Sequence, residues 1–308
     1  MDRLTLEALS RLCQKPDHRR VGNWMACRVA RPLALRVTWV VYPLGISAHA
    51  MTLVAWLISV AAAAALAGGS TSSWLWGAAL LQLWYLLDHV DGQLARLRGT
   101  ASLDGVQLDY LMHHAVNVLV PTSIGWGLFL RSGNSLWAGL GLAWAMALLL
   151  LNLQHDAAYK AFVQRLKCVD GQLLAVGGGG ARPGPPTPRP AGIVPTARWL
   201  ARKLVEIHVI MNLITAVAVA QWFLHDNAMH VAMTAVACTV PLAWIVSLGS
   251  LARSQRRQSV EREFAAWFQV PADHDMLCDH GWWRVVPREP GETRGHGEAL
   301  PRSAGRSS

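Results

Sequence analysis

The sequence predicts an all-α integral membrane protein with six transmembrane helices and an N-terminal interfacial helix. Three observations lead there. Of 308 residues, 53% are hydrophobic and only 15% charged, against roughly 25% charged in an average soluble protein. The charges avoid several windows of roughly 20 residues, long enough for a helix to cross a hydrocarbon core of about 30 Å. Many of the 15 tryptophans fall near the ends of those windows, among them Trp24, Trp39, Trp74, Trp76, Trp137, Trp199 and Trp222. Amphipathic rings are expected there, at the two lipid–water interfaces.

Residues 1–23 read as a cytoplasmic N-terminal arm. They are basic and broken by Pro16, which argues against a cleavable signal peptide. The membrane domain is expected over 24–255. It opens on "NWMACRVARPLALRVTWVVYPLG", where Arg28, Arg31 and Arg36 alternate with Trp, Val and Leu at helical spacing around Pro32. That pattern predicts a helix lying on the inner leaflet. Spans follow at 48–67, 73–95, 105–130, 135–158, 199–224 and 228–251. Between the fourth and fifth, a flexible cytoplasmic loop is expected over 168–196, because "GGGGARPGPPTPRP" has nothing apolar to bury. Residues 256–308 read as a cytoplasmic tail, largely disordered, with "EREFAAWF" as a short helix.

The connectors set the orientation. Of 28 Lys and Arg residues, only Arg131 falls in the connectors "GGSTSS", "RSGNS" and "LHDNAM". All others lie in the arm and the interfacial helix after it, the turn after the second span, segment 159–203 and the stretch beyond the sixth span. Positive charge marks the cytoplasmic side, so both termini and the turn between spans two and three are placed there. The net charge of +9 is thereby accounted for by topology and anionic lipid headgroups; no compact basic domain or RNA-binding motif points to nucleic acid. The five cysteines, at 13, 27, 168, 238 and 278, form no CxxC or CxxH pair, so neither a zinc site nor a disulfide frame is expected.

The chemistry concentrates in "LLDHVDGQLARLRGTASLDGVQLDYLMHH", residues 86–114. At 100° per residue Asp88, Asp91, Gly92 and Ala95 share one stripe of span two, and Gly105, Asp109 and His113 follow at i+4 steps on span three. Two facing helices thus present three carboxylates and an imidazole at the cytoplasmic surface. Carboxylates so placed need positive charge nearby. An oxygen-rich set without thiolates suits Mg²⁺ or Mn²⁺, and two helices supply enough ligands for a pair of ions. Paired divalent ions bind diphosphates and stabilise in-line displacement at phosphorus. Gly92, Ala95 and Gly105, with little or no side chain, let a nucleotide lie against backbone.

At these residues the sequence resembles the CDP-alcohol phosphatidyltransferases, which carry DxxDGxxAR, eight residues, then GxxxDxxxD. Asp88, Asp91, Gly92, Ala95, Arg96, Gly105 and Asp109 match with the same eight-residue spacer, while the last position is His113. "PLGISAHAMT", ahead of span one, looks like a degraded form of the family's stretch there. The resemblance covers about residues 25–255. It implies transfer of a phosphoalcohol, usually phosphatidyl from CDP-diacylglycerol, to an alcohol acceptor with release of CMP in phospholipid biosynthesis. It also implies a homodimer in a bacterial inner membrane. Asp88, Asp91 and Asp109 would bind two divalent cations, and Gly92, Ala95, Arg96 and Gly105 the nucleotide. The family's final Asp binds metal and is the favoured general base, so His113 inherits both roles. Acceptors compatible with this reading include glycerol phosphate, serine, inositol phosphate, choline and another lipid alcohol. Arg198, Arg202 and Lys203, at the inner end of span five, read either as lipid-headgroup contacts or as the site for an acceptor's phosphate. Two other function classes stay open: an inactive relative that binds nucleotide or lipid, and a small-solute transporter. Against the transporter stands the acidic cluster's position at one surface rather than mid-membrane.

Overall fold

The computed structural model describes residues 4–15, 18, 22–175, 192–224, 228–279, 282–287 and 302–303. The chain divides into two compact units, residues 1–150 with 183–247 and residues 151–182 with 248–308.

The first unit is helical. Helix α1 (Leu6–Cys13) starts at Thr5, whose Oγ1 accepts from the amide of Ala8, and buries Leu9 and Cys13. After a π-helical turn at Ala26–Ala30 comes α2 (Arg31–Val41), with Pro32 in its first turn. The chain passes Pro32 through a widened turn and not a break. The helix continues through this turn, and the wider π geometry accommodates a residue that has no N–H to give to the preceding turn. Helices α3 (Ala48–Ala67), α4 (Thr71–Leu97) and α5 (Leu103–Ser132) each begin at a serine cap, Ser47, Ser70 and Ser102, whose side chain accepts from the amide three residues on. Then come α6 (Leu136–Lys167), α7 (Ile193–Leu204), α8 (Ile207–Leu224) and α9 (Ala228–Arg256).

Helix α4 packs against α1, α2, α3 and α8. Its buried residues Leu81, Val90 and Leu94 anchor the core, with Ala34, Ala48 and Met51 packed around Val90 and Leu94. Inside the unit Thr38 Oγ1 donates to Gln93 Oε1 at 2.8 Å, and Gln82 Nε2 donates to Thr215 Oγ1 at 2.9 Å. Each of the six predicted windows holds a helix. Four of these, α3, α6, α8 and α9, are long and apolar enough to cross a membrane by composition alone. Helices α4 and α5 bear the polar constellation, which lowers their hydropathy.

Among the described residues, three details differ from the sequence expectation. The fifth window, 199–224, begins too early: α7 ends at Leu204 and α8 starts at Ile207. At that bend Lys203 Nζ lies 2.7 Å from Glu206, and His208 Nε2 lies 3.3 Å from the same carboxylate. Charges this dense favour a surface bend over a continued span. The second unit adds short strands to its helices, and the described residues of the tail include a helix and strands. It holds the C-terminal ends of α6 and α9, α10 (Ser259–Trp267), and the short strands β1 (Val169–Asp170), β2 (Leu174–Ala175), β3 (Phe268–Gln269), β4 (His274–Asp279), β5 (Trp282–Pro287) and β6 (Arg302–Ser303). The strand order is β1-β5-β4-β6, with β4 and β5 antiparallel, and β2 pairs with β3. Arg165 forms a two-pronged ion pair with Glu261 and lies 4.3 Å over the Trp283 ring, which fastens α6 to the tail. Finally, the loop expected to be flexible over 168–196 begins with β1 and β2 and ends inside α7; its residues 176–191 lie outside the described residues.

Candidate active site

The turn from α4 to α5 positions the site. Gly99 takes φ +63°, a left-handed conformation that glycine adopts without strain. Arg98 ties the turn to the end of α2, its guanidinium donating to the carbonyls of Gly45 and Tyr42 at 3.1 Å each. Ser102 then caps α5, and its Oγ accepts from the Gly105 amide at 3.1 Å. With the turn fixed at both ends, the polar stripes of α4 and α5 face each other.

Asp88 Oδ1 stands 3.0 Å from His113 Nε2, and Asp109 Oδ1 stands 3.5 Å from the same nitrogen. The imidazole edge rests on the Trp84 ring at 5.5 Å. Among the described residues, donor atoms of Asp88, Asp109 and His113 lie within 4.8 Å of one another, close enough to share a metal ion. Asp91 is not part of that cluster. It is buried and its Oδ2 accepts from Thr52 Oγ1 of α3 at 2.7 Å. Two carboxylate oxygens and one imidazole nitrogen fit a divalent ion, and the nitrogen makes Mn²⁺ as suitable as Mg²⁺.

The acidic residues open on a cavity of about 300 Å³. Asp88, Asp91, Gly92, Ala95 and Arg96 line it from α4, and Gly105, Val106 and Asp109 from α5. His113 does not line it, and neither do Arg198, Arg202 or Lys203. The sequence-predicted acidic and small residues are thus gathered on one wall, while the expected acceptor cations on α7 stay apart from it. Gly105 is open toward the cavity: a Cβ there would meet only Ser102 Oγ at 3.3 Å and His49 Nε2 at 3.9 Å. Gly92 differs, since the nearest atom to an added Cβ is Arg96 Nη1 at 3.3 Å. Its smallness makes room for the arginine of its own motif.

Sequence reasoning passed over the other walls. His49 and Thr52 come from α3, Gln14 and Lys15 from the end of the N-terminal arm, and Arg31 from α2. His49 and Thr52 had left a signal inside the stretch "PLGISAHAMT", and Arg31 had been read only as an interfacial charge.

Residues 45–177 match the model of the CDP-alcohol phosphatidyltransferase family. The matched region begins just before α3 and contains every residue of the motif. No curated protein matches the chain. Among solved structures, the chain is similar to a Mycobacterium tuberculosis phosphatidylinositol phosphate synthase, PgsA1, with CDP-DAG bound, at 17% identity and a TM-score of 0.47, over 72% of this chain and 92% of the other.

Proposed function

We propose that this chain transfers a phosphoalcohol group, phosphatidyl in the first instance, from a CDP-alcohol such as CDP-diacylglycerol to an alcohol acceptor, releasing CMP. The observation that carries this reading is the placement of Asp88, Asp91, Gly92, Ala95, Arg96, Gly105 and Asp109 on one cavity wall, within the segment that matches the family. In the reaction the acceptor hydroxyl oxygen forms a bond to the phosphorus that bears the alcohol. The bond from that phosphorus to the oxygen shared with the CMP phosphate breaks, CMP leaves with the electron pair, and the hydroxyl proton passes to a base.

Asp88, Asp109 and His113 would hold a divalent cation, with Asp91 available from the same helix for a second. Such ions, when bound, neutralise the diphosphate and polarise its oxygens. Asp88 and Asp109 keep His113 Nε2 directed at the cluster, and Thr52 fixes the carboxylate of Asp91. His113 accepts the proton or ligates the metal, and one nitrogen cannot do both.

A second reading, a binding relative without turnover, draws support from the same contact. With Nε2 held between Asp88 and Asp109, the imidazole occupies the space between two candidate ligands. Measuring CMP release by purified protein with CDP-diacylglycerol and a panel of acceptors separates the two. Asp88→Asn, Asp91→Asn and Asp109→Asn should each abolish release while the protein stays folded in detergent, and EDTA should do the same to the wild type. Turnover undiminished by EDTA would remove the metal from the proposal.

A further inference from the structure

Of the basic wall of the cavity, the motif accounts only for Arg96. Lys15 and Arg31 line it together with Arg96, opposite in charge to Asp88, Asp91 and Asp109 on the same cavity. Lys15 belongs to the N-terminal arm, and both it and Arg31 precede the segment that matches the family, which begins at residue 45. The arm is held in place by contacts at both ends. Arg96 Nε donates to the carbonyl of Cys13 at 2.5 Å, at the last residue of α1 and two positions before Lys15. Trp39 Nε1 donates to the carbonyl of Leu4 at 2.7 Å, and the Leu4 amide donates to Tyr42 Oη at 3.0 Å. Arg31 Nη1 donates to the carbonyl of His18 at 2.5 Å, so it borders the cavity while holding the chain just past Lys15.

Lys15, Arg31 and Arg96 bring positive charge to the cavity that also holds the three carboxylates. They suit a ligand that brings its own negative charge, because a phosphate among guanidinium and ammonium groups gains charge-assisted hydrogen bonds. We infer that the N-terminal arm is a wall of the active site, in which Lys15 and Arg31 hold a phosphate-type anion of a substrate while Arg96 acts as a positioning residue by anchoring the arm. This rests on the transferase reading and deepens it. The anion belongs either to the diphosphate of the CDP-alcohol or to an anionic group on the acceptor, and in the second case the acceptor is itself a phosphate ester or carboxylate.

The test uses the full chain in detergent with Mn²⁺, titrated with CDP and, after saturation with CDP, with inorganic phosphate. Lys15→Ala and Arg31→Ala should each weaken one of these steps roughly tenfold, the loss of one charge-assisted contact, and Lys15→Arg should retain both. Weaker CDP binding assigns the cations to the diphosphate; weaker phosphate binding with unchanged CDP binding assigns them to the acceptor. Wild-type affinity for both probes in Lys15→Ala and Arg31→Ala overturns the inference. A wild-type protein that ignores CDP overturns the transferase reading instead.

Anchoring by Arg96 has its own readout. Cys13 is fully buried, and burial pushes its thiol up from the usual range, so it should react slowly with maleimide. With the other four cysteines replaced, Arg96→Ala should accelerate Cys13 labelling severalfold and Lys15→Ala should leave it slow. Unchanged labelling in Arg96→Ala would show that the arm docks without this contact.

Discussion

Position 113 is where this chain departs from the family's pattern, and the structure gives the departure a physical form. An imidazole between Asp88 and Asp109 contributes one nitrogen to a site where a carboxylate would add two oxygens and a negative charge. His113→Asp should therefore raise affinity for Mg²⁺ more than for Mn²⁺, because removing nitrogen favours the harder ion and adding charge favours both. Competition between Mg²⁺ and Mn²⁺, followed by Mn²⁺ paramagnetic resonance on the purified variant, reads this without reference to turnover. An unchanged Mg²⁺ preference would mean that the imidazole does not reach the ion. The acidic and small residues of this site were legible in the sequence because they sit on two helices joined by a short turn, where helical spacing alone decides which side chains meet. Thr52 was not legible as a partner for Asp91, being 39 residues away. Lys15 and Arg31 were read only as topology and interface charges. Their place at the cavity depends on how the arm folds back, which local periodicity does not encode.

At the scale of elements, the six apolar windows mark the six long helices, since an apolar run of that length has few other solutions. The errors fall where polar and apolar residues mix. Helix α1 was hidden in an arm read by its charge, although Thr5 at the cap and the spacing of Leu6, Leu9 and Cys13 are helical signals. The β4–β5 hairpin was missed because a charged tail without a strong alternating pattern resembles disorder, whereas its pairing is supplied by the segment after α6 through β1. Helix contacts show a different dependence, on the absence of side chains. A Cβ at Gly127 of α5 would lie 2.4 Å from the carbonyl oxygen of Leu66 and 3.2 Å from Cα of Gly69. Backbone cannot yield as a flexible side chain can, so Gly127→Ala should separate α3 from α5 at a cost of roughly 1–3 kcal/mol. Gly139, on α6, has nothing within 4 Å of an added Cβ. Gly139→Ala should be neutral or stabilising by up to about 1 kcal/mol, through helix propensity alone. Thermal unfolding in one detergent compares the two; equal shifts would mean that the α3–α5 approach is looser than these distances require.

For the whole molecule, the distribution of charge predicts which side of a membrane the cavity faces. All Lys and Arg but Arg131 lie in segments assigned to one face, among them the α4–α5 turn that carries Arg98 and borders the cavity. Thr100 in that turn is exposed and lies outside the predicted spans, so it can report the sidedness of the site directly. The native thiols would confuse the signal unevenly, since Cys238 is exposed and Cys13 buried. The background should therefore lack all five. In it, Thr100→Cys should react with a membrane-impermeant maleimide only after the cells are opened, as the positive-inside rule requires of a turn joined to this much basic sequence. Labelling in intact cells would put the cavity on the opposite face, away from cytoplasmic CDP-linked substrates, and the transferase reading would fail together with the orientation. Prior addition of CDP and Mn²⁺ to the opened cells should slow the labelling, because Thr100 lines the same cavity as Asp88 and Asp109. Protection by CDP with no protection by AMP would tie the sidedness of the turn to occupancy of the site itself.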